Sequence, residues 1–242
     1  LLLLEQHPEL KALKIHAPER GPRFDLVETA VKNAHYRLEE QSRQGERSLV
    51  ELRLVEEKLG LKRTPFTIEC IDISNLQDTA IVAAVVTFKN GKPAKDLYRR
   101  YSVKTTNGQD DFGAIREVMR RRLERGTRDD DLPDLIVIDG GRGQLSAASG
   151  VFQEFPGLPT ELISLAKSRS VRSKKEFLSS ENPERSYERV FFPEQETATP
   201  LAPGTPEFRV LTQIRDEAHR FAISDHRKKR TSILQGSQLE DM

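Results

Sequence analysis

The chain has 242 residues, of which 36% are hydrophobic and 32% are charged, so it is long enough for one medium domain with a small annex. No apolar run approaches the roughly 18 residues that cross a membrane, and the opening run from Leu1 to Leu4 lacks the flanks of a signal peptide. The single cysteine, Cys70, excludes an internal disulfide and a cysteine-rich zinc site. We therefore expect a cytoplasmic protein with no membrane partner. The net charge of +1 does not by itself indicate nucleic-acid binding.

Residues 1–62 are predicted to form a small, mainly helical annex. A short strand is predicted at 13–16. From Phe24 to Leu59, apolar residues recur at steps of three and four with charged residues between them, and Gly60 follows as a stop. This spacing predicts one long helix, or two helices interrupted near residues 44–45.

From Phe66 onward the pattern changes to that of a mixed α/β sheet. An Asn90-Gly91 turn between alternating runs predicts antiparallel strands, and the unbroken β-branched run before Asp139 is typical of a strand covered on both faces. Strands are predicted at 66–73, 80–88, 96–103, 135–139 and 161–165, and helices at 110–123, 144–155 and from 205 or 206 to 229. A candidate hairpin joins 177–178 to 190–192. This order of elements predicts a ribonuclease H-like, five-stranded mixed sheet flanked by helices over 63–230, with 231–242 as a linker.

Two aspartates end apolar strands. Asp72 shares a strand face with Ile68 and Cys70, and Asp139 closes the run that begins at Leu135. A carboxylate that faces an apolar interior is destabilising unless it is paired, protonated or bound to a metal. If their strands are neighbours, about 4.8 Å apart, both carboxylates can bind one Mg²⁺ or Mn²⁺. The alternative interpretation is that each aspartate caps backbone amides.

A glycine-rich turn follows Asp139, with the sequence Asp-Gly-Gly-Arg-Gly-Gln-Leu. Such a turn between a buried strand and a helix lets backbone amides approach a phosphate. The glycine spacing differs from the dinucleotide fingerprint, and the Gly-Lys-Ser/Thr of a nucleotide P-loop is missing. We therefore predict that Arg142 and Gln144 contact the backbone of a nucleic acid. The alternative is a tight turn that needs glycine only for its conformation.

The last predicted helix carries a net charge of +4 over residues 209–230, from seven cations and three carboxylates. This concentration of charge predicts contacts with phosphates. The candidate DNA-binding residues there are Arg215, Arg220, Arg227, Lys228, Lys229 and Arg230. His219 lies on the same helix, where an isolated histidine is commonly structural or solvated. A metal-binding pair elsewhere would need a third ligand or a general base, and a neutral imidazole serves either purpose.

Two further basic stretches are weaker candidates for phosphate contacts. Residues 116–125 include Arg120, Arg121 and Arg122, which otherwise form a solvated helix face. Arg99 and Arg100 lie between Tyr98 and Tyr101.

At these positions the sequence resembles the C-terminal half of UvrC, the incision component of the excinuclease of bacterial nucleotide excision repair. The resemblance covers nearly all of 66–230. It is carried by Ile68-Glu-Cys-Ile-Asp-Ile-Ser, Tyr98-Arg-Arg-Tyr, Asp110-Asp-Phe-Gly-Ala-Ile-Arg, Leu132-Pro-Asp-Leu-Ile-Val-Ile-Asp-Gly-Gly-Arg-Gly-Gln-Leu, Leu165-Ala-Lys and Ile214-Arg-Asp-Glu-Ala-His-Arg-Phe-Ala. The resemblance implies a metal-dependent endonuclease whose Asp-Asp-His triad is Asp72, Asp139 and His219. It also implies incision of damaged double-stranded DNA on the 5′ side of a lesion, within the UvrABC assembly.

The resemblance has limits. The family usually has His and Gly where Asn75 and Asp78 stand here, so a hydrogen bond next to the metal is expected to differ. The family's 3′-cutting nuclease domain, its UvrB-binding segment and its helix-hairpin-helix pair are not matched, so we expect a fragment. Two alternatives remain open, a ribonuclease H-like binding module without catalysis and a nuclease of the resolvase or transposase type.

Overall fold

The computed structural model describes residues 18–76, 80–103, 110–167 and 188–240, with the side chains at 75–76, 80 and 225–240 left aside. The predicted strand at 13–16, residues 177–178 of the candidate hairpin and Asp78 lie outside this description. So do the side chains of Asn75 and of the basic residues 227–230. None of the described helices has a stretch long and apolar enough to cross a bilayer.

The elements follow the predicted order. The helices are α1 (Pro22–Leu59), α2 (Asp111–Asp129), α3 (Arg142–Phe152) and α4 (Pro206–Glu240). The strands are β1 (Thr67–Leu76), β2 (Ala80–Lys89), β3 (Lys92–Pro93), β4 (Arg99–Ser102), β5 (Leu135–Asp139), β6 (Glu161–Ala166), β7 (Glu188–Phe191) and β8 (Thr199–Leu201).

Two compact units divide the chain, 1–46 and 47–242. Helix α1 runs without a break through residues 44–45, so the single-helix alternative is the one found. In the first unit, the described residues of α1 are exposed except Gly45, which is half-buried. In the second unit, Leu52, Val55 and Leu59 on the last turns of α1 are buried in the core of the sheet.

The sheet has the strand order β3-β2-β1-β5-β6-β7-β8, with β4 also paired to β2. Strands β1, β5 and β6 are parallel neighbours, and the other pairs are antiparallel. The predicted adjacency of β1 and β5 is confirmed. The predicted count of five strands is wrong, because the sheet contains eight strands in the described residues alone. Of the three additional strands, β7 overlaps residues 190–192 of the candidate hairpin, while β3 and β8 are two and three residues long, too short to give a periodic pattern.

Helices cover both faces of the sheet. One face packs against α4 and the end of α1, and the other packs against α2 and α3; we call them the α4 face and the α2 face. Along β5, Leu135 and Val137 are buried on the α4 face, while Ile136 and Ile138 are buried on the α2 face. The unbroken apolar run of β5 therefore has the cause that the sequence predicts, which is burial on both sides.

The basic stretch on α2 forms ion pairs within the protein. Arg122 is only 4% exposed and donates two hydrogen bonds to Glu69, at 2.7 and 2.8 Å. Arg120 pairs with Glu154, and Arg121 donates to Glu117 and to the carbonyl oxygen of Ser102. The alternative that these arginines form a solvated helix face is therefore wrong for Arg122, which is buried.

Candidate active site

Three side chains from three elements meet where β5 ends at Asp139, next to the middle of β1. Asp72, Asp139 and His219 each offer one ligand atom, and these atoms lie within 4.8 Å of one another. The predicted convergence is found. The arrangement supplies two carboxylate oxygens and one imidazole nitrogen, which is a donor set suited to a divalent cation.

Register explains why the two aspartates meet. Ile71 of β1 is the partner of Ile138 of β5, and Asp72 and Asp139 each follow by one residue. Since side chains alternate along a strand, both aspartates point to the α4 face, as Cys70 and Val137 do. On α4, Ala218 is buried against the sheet, while the His219 side chain is 50% exposed at the edge of the site.

The negative charges of the Asp72 and Asp139 carboxylates have few described partners. Burial raises the pKa of Asp72, and the His219 imidazole opposes that rise. Burial and the Asp72 charge raise the pKa of Asp139 to about 6. Ser74 Oγ lies 3.3 Å from Asp72 Oδ2, and His219 Nδ1 lies 3.6 Å from the same oxygen. No residue in the described ranges donates a hydrogen bond to the Asp139 carboxylate.

The capping interpretation lacks the backbone amides that it needs. The N-cap of α3 is Gly141, and neither aspartate accepts a bond from a described backbone N–H. A buried carboxylate, Asp72, and a half-buried one, Asp139, that repel each other fit a bound cation, because a cation would remove the repulsion. The residues present therefore fit the predicted metal.

Two cations lie near this site. The positive charges of Arg215 and Lys167 both act to lower the pKa of Asp139. Arg215 is 5% exposed and donates to Glu188 Oε2 at 2.6 Å and to Asp216 Oδ1 at 3.0 Å. Because Arg215 is buried and paired, its guanidinium lacks the exposure that a phosphate contact needs.

Sequence reasoning did not assign a role to Lys167. It comes two residues after Leu165, which is the register partner of Asp139 on the neighbouring strand. That spacing was the available signal, since residues two apart on a strand share a face. Lys167 is exposed.

The glycine-rich turn is held together by its own side chains. Gln144 Oε1 accepts the N–H of Gly141 at 2.8 Å, across the start of α3. Gly140 has φ +153°, and a Cβ there would lie 2.5 Å from the Gln144 side chain. Arg142 donates to the carbonyl oxygens of Gln195 and Glu196. Arg142 and Gln144 therefore shape the turn, whatever contact they make with a ligand.

The remaining predicted DNA contacts lie along α4. Arg220 is exposed and donates two hydrogen bonds to Glu217, at 2.5 and 2.7 Å. The backbone of residues 227–230 continues the same helix, which extends to Glu240 through most of the predicted linker. The structure thus brings the metal-binding candidates together, and spreads the basic candidates over the turn and the helix.

A family model described as the UvrC RNase H endonuclease domain matches residues 56–223. The chain belongs to this family. Similar curated proteins include the UvrABC system protein C of Geobacter sp. (strain M21), 41% identical over 230 residues, which are 95% of this chain and 35% of that protein. The Trichlorobacter lovleyi protein of the same name is 43% identical over 238 residues, 96% of this chain and 38% of the relative. The chain thus spans about a third of the length of the curated relatives that it matches.

Among solved structures, the chain is similar to Ciona intestinalis endonuclease V bound to a 23mer DNA containing an inosine. The sequence identity is 14%, the TM-score is 0.42, and the match covers 78% of this chain and 98% of that one. The catalytic domain of human endonuclease V is similar at 9% identity, with a TM-score of 0.37 and with 78% and 97% of the two chains covered.

Proposed function

We propose that this chain is a divalent-metal-dependent DNA endonuclease of nucleotide excision repair, which cuts the damaged strand on the 5′ side of a lesion within the UvrABC assembly. The observation that carries the proposal is the meeting of Asp72, Asp139 and His219 within 4.8 Å, in a chain of the UvrC family. UvrB and damaged double-stranded DNA are the partners, and the cytoplasm is the compartment, in keeping with the single, buried cysteine.

Asp72, Asp139 and His219 hold one Mg²⁺ or Mn²⁺. When bound, the cation supplies Lewis-acid chemistry, because it lowers the pKa of a water molecule and offsets charge on a phosphodiester. The two carboxylates would hold the cation between the middle of β1 and the end of β5. Half of the His219 side chain is exposed, so this imidazole is accessible either as the third ligand or as the group that accepts the proton of the attacking water.

The glycine-rich turn and α4 guide the DNA backbone. Gln144 accepts the Gly141 N–H and Arg142 donates to the carbonyl oxygens of Gln195 and Glu196, so the N–H groups in the first turn of α3 are the ones that bind a phosphate. Arg220 and residues 227–230 contact further phosphates, and such contacts carry no sequence information. Recognition of damage therefore belongs to the partner proteins. Arg215 lies in the interior, where it forms an ion pair with Glu188.

A strand-specific incision assay tests this function. The full-length protein that carries Asp72→Asn, Asp139→Asn or His219→Ala is assembled with UvrA and UvrB on a damaged duplex. We expect each variant to lose the 5′ cut and to retain the 3′ cut, because only the 5′ site is altered. Asp129→Asn, at an exposed carboxylate on α2, is the matched control and keeps both cuts. Full 5′ cutting by the Asp139 variant would disprove the proposed site.

Metal binding separates this function from the two alternatives. The parent chain should bind Mn²⁺ in a calorimetric titration, and Asp72→Asn should abolish that binding. Equal titrations of the two proteins would favour a binding module without catalysis. Cleavage of four-way junctions in preference to damaged duplexes would favour a nuclease of the resolvase type.

A further inference from the structure

The turn of α4 that carries His219 is fastened to the sheet by Tyr98. This tyrosine immediately precedes β4 and is 9% exposed. Its hydroxyl donates to Glu217 Oε1 at 2.9 Å, two residues before His219. Its ring packs edge-on against Phe221, two residues after His219, with ring centroids 5.1 Å apart. Contacts with Tyr98 therefore flank the histidine on both sides.

Arg100, on β4, holds the following turn of the helix. Its guanidinium carbon lies 3.8 Å from the centroid of the Phe221 ring. Its Nη2 donates to the Phe221 carbonyl oxygen and to Ser224 Oγ, both at 3.0 Å. A guanidinium that both stacks on a ring and donates in plane fixes a position more tightly than a single hydrogen bond does.

Sheet register connects this attachment to the metal-binding candidates. Asp72 of β1 pairs with Ala84 of β2, and Ala84 pairs with Arg100 of β4. Cross-strand partners point to the same face, so Asp72 and Arg100 lie on one row of the α4 face, two strand spacings or about 10 Å apart. The row of side chains that includes the candidate ligand Asp72 therefore also includes Arg100, which holds α4, the helix that carries His219.

We propose that Tyr98 and Arg100 are positioning residues that set the placement of His219 relative to Asp72. This inference rests on the proposed function, since the placement matters for metal binding. Half of the His219 side chain is exposed, so packing around the imidazole restrains it weakly and the position of the helix decides where it lies. The Arg100 guanidinium is already engaged by α4, which argues against the weaker prediction that it contacts a phosphate.

The test compares Arg100→Lys and Tyr98→Phe in the metal-free chain. Arg100→Lys keeps the positive charge and loses the planar contact, and Tyr98→Phe keeps the ring and loses the bond to Glu217. The probe is the imidazole carbon–proton NMR resonance of His219, assigned by its loss in His219→Ala. We expect both variants to shift this resonance. We also expect Arg100→Lys to weaken Mn²⁺ binding on the order of tenfold, as changes in groups that orient ligands do.

Arg99→Lys is the matched control. It lies next to Arg100, and its guanidinium donates to the carbonyl oxygens of Asp96 and Tyr98, not to any described residue of α4. This variant should keep the parent resonance and the parent Mn²⁺ affinity. If Arg100→Lys does not fold, Tyr98→Phe decides alone. An unchanged His219 resonance in the folded variants overturns the inference. A parent chain that binds no Mn²⁺ overturns the proposed function, while the NMR comparison still decides the positioning role.

Discussion

Strand β1 carries two buried carboxylates with opposite surroundings. Glu69 is 5% exposed on the α2 face and Asp72 is 6% exposed on the α4 face. Glu69 accepts two hydrogen bonds from Arg122, and Arg122 also donates to Asp131. Asp72 has no arginine partner in the described structure, and its near neighbour Asp139 carries the same charge.

This contrast shows that burial alone does not indicate function. Glu69 has a structural role: burial raises its pKa, and the two hydrogen bonds and the charge of Arg122 oppose that rise. Asp72 and half-buried Asp139 repel each other, and a bound cation or a proton would remove this repulsion. Single substitutions can alter the surroundings of Glu69 and of Asp72, with expected effects of different size.

Arg122→Met should give the largest loss of stability. It leaves Glu69 buried without its partner, which typically costs about 3–5 kcal/mol. Urea denaturation of the variant and the parent measures the change. The double variant Glu69→Leu with Arg122→Met should recover most of the loss, because no charge is then left buried. A single variant that loses less than about 1 kcal/mol would contradict the compensated character of this pair.

Asp139→Asn should remove a pH dependence from the stability of the folded chain. The pKa of Asp139 lies at about 6 in the folded chain, above the ordinary 3.8, so the folded state binds this proton more tightly than the unfolded state. The carboxyl group therefore favours folding more as pH falls from about 7 towards 4, and its contribution is lost as pH rises through 6. With metal removed by a chelator, Asp139→Asn should be more stable than the parent at neutral pH, on the order of 2 kcal/mol.

Thermal melts at several pH values measure that difference, which should shrink towards acid. Asp129→Asn is the control of opposite sign. A hydrogen bond from Arg128 lowers the pKa of Asp129, so this carboxylate favours folding above its ordinary pKa and loses that effect in acid. An Asp139→Asn variant less stable than the metal-free parent at neutral pH would restore the capping interpretation.

The same contrast explains how much the sequence could predict. Asp72 and Asp139 could be predicted because the first closes an apolar strand face and the second closes an apolar run, and the order of elements predicted that β1 and β5 are neighbours. Both signals are local or topological. The Glu69–Arg122 pair joins residues 53 apart, and a run of arginines on α2 has the same pattern whether its members are solvated or paired.

The roles of individual cations were harder to predict for the same reason. Arg215 and Arg220 occupy one basic helix in the sequence, yet Arg215 is buried against Glu188 and Arg220 is exposed. A difference of five residues on a helix changes the face, and the pairing partner, Glu188, begins β7, two residues before the strand predicted at 190–192. Local sequence pattern therefore predicted the candidate metal ligands, Asp72 and Asp139, better than it predicted the roles of the cations around them.

Gln144→Ala should have a smaller effect on stability. It removes the acceptor for the Gly141 N–H at the start of α3, and the loss of such a cap costs about 1 kcal/mol. Chemical denaturation measures this cost. Gln153→Ala, at the other end of α3, is the control and should cost less, because its described hydrogen bonds come from its backbone. Equal losses would show that the Gln144 side chain does not hold the turn.

Arg220→Gln should have the smallest effect on stability and a measurable effect on DNA binding. Arg220 is exposed and pairs only with Glu217 in the described part of the chain, so the melting temperature should stay close to that of the parent. If Arg220 contacts one phosphate, the slope of log K against log salt for duplex binding should fall by about 1, equally for unrelated sequences. The matched control is Arg128→Gln, since Arg128 is also exposed and pairs with an adjacent carboxylate, but lies at the end of α2. Equal salt slopes for Arg220→Gln, Arg128→Gln and the parent would exclude Arg220 from the DNA interface, and a loss confined to one duplex sequence would indicate base contacts instead.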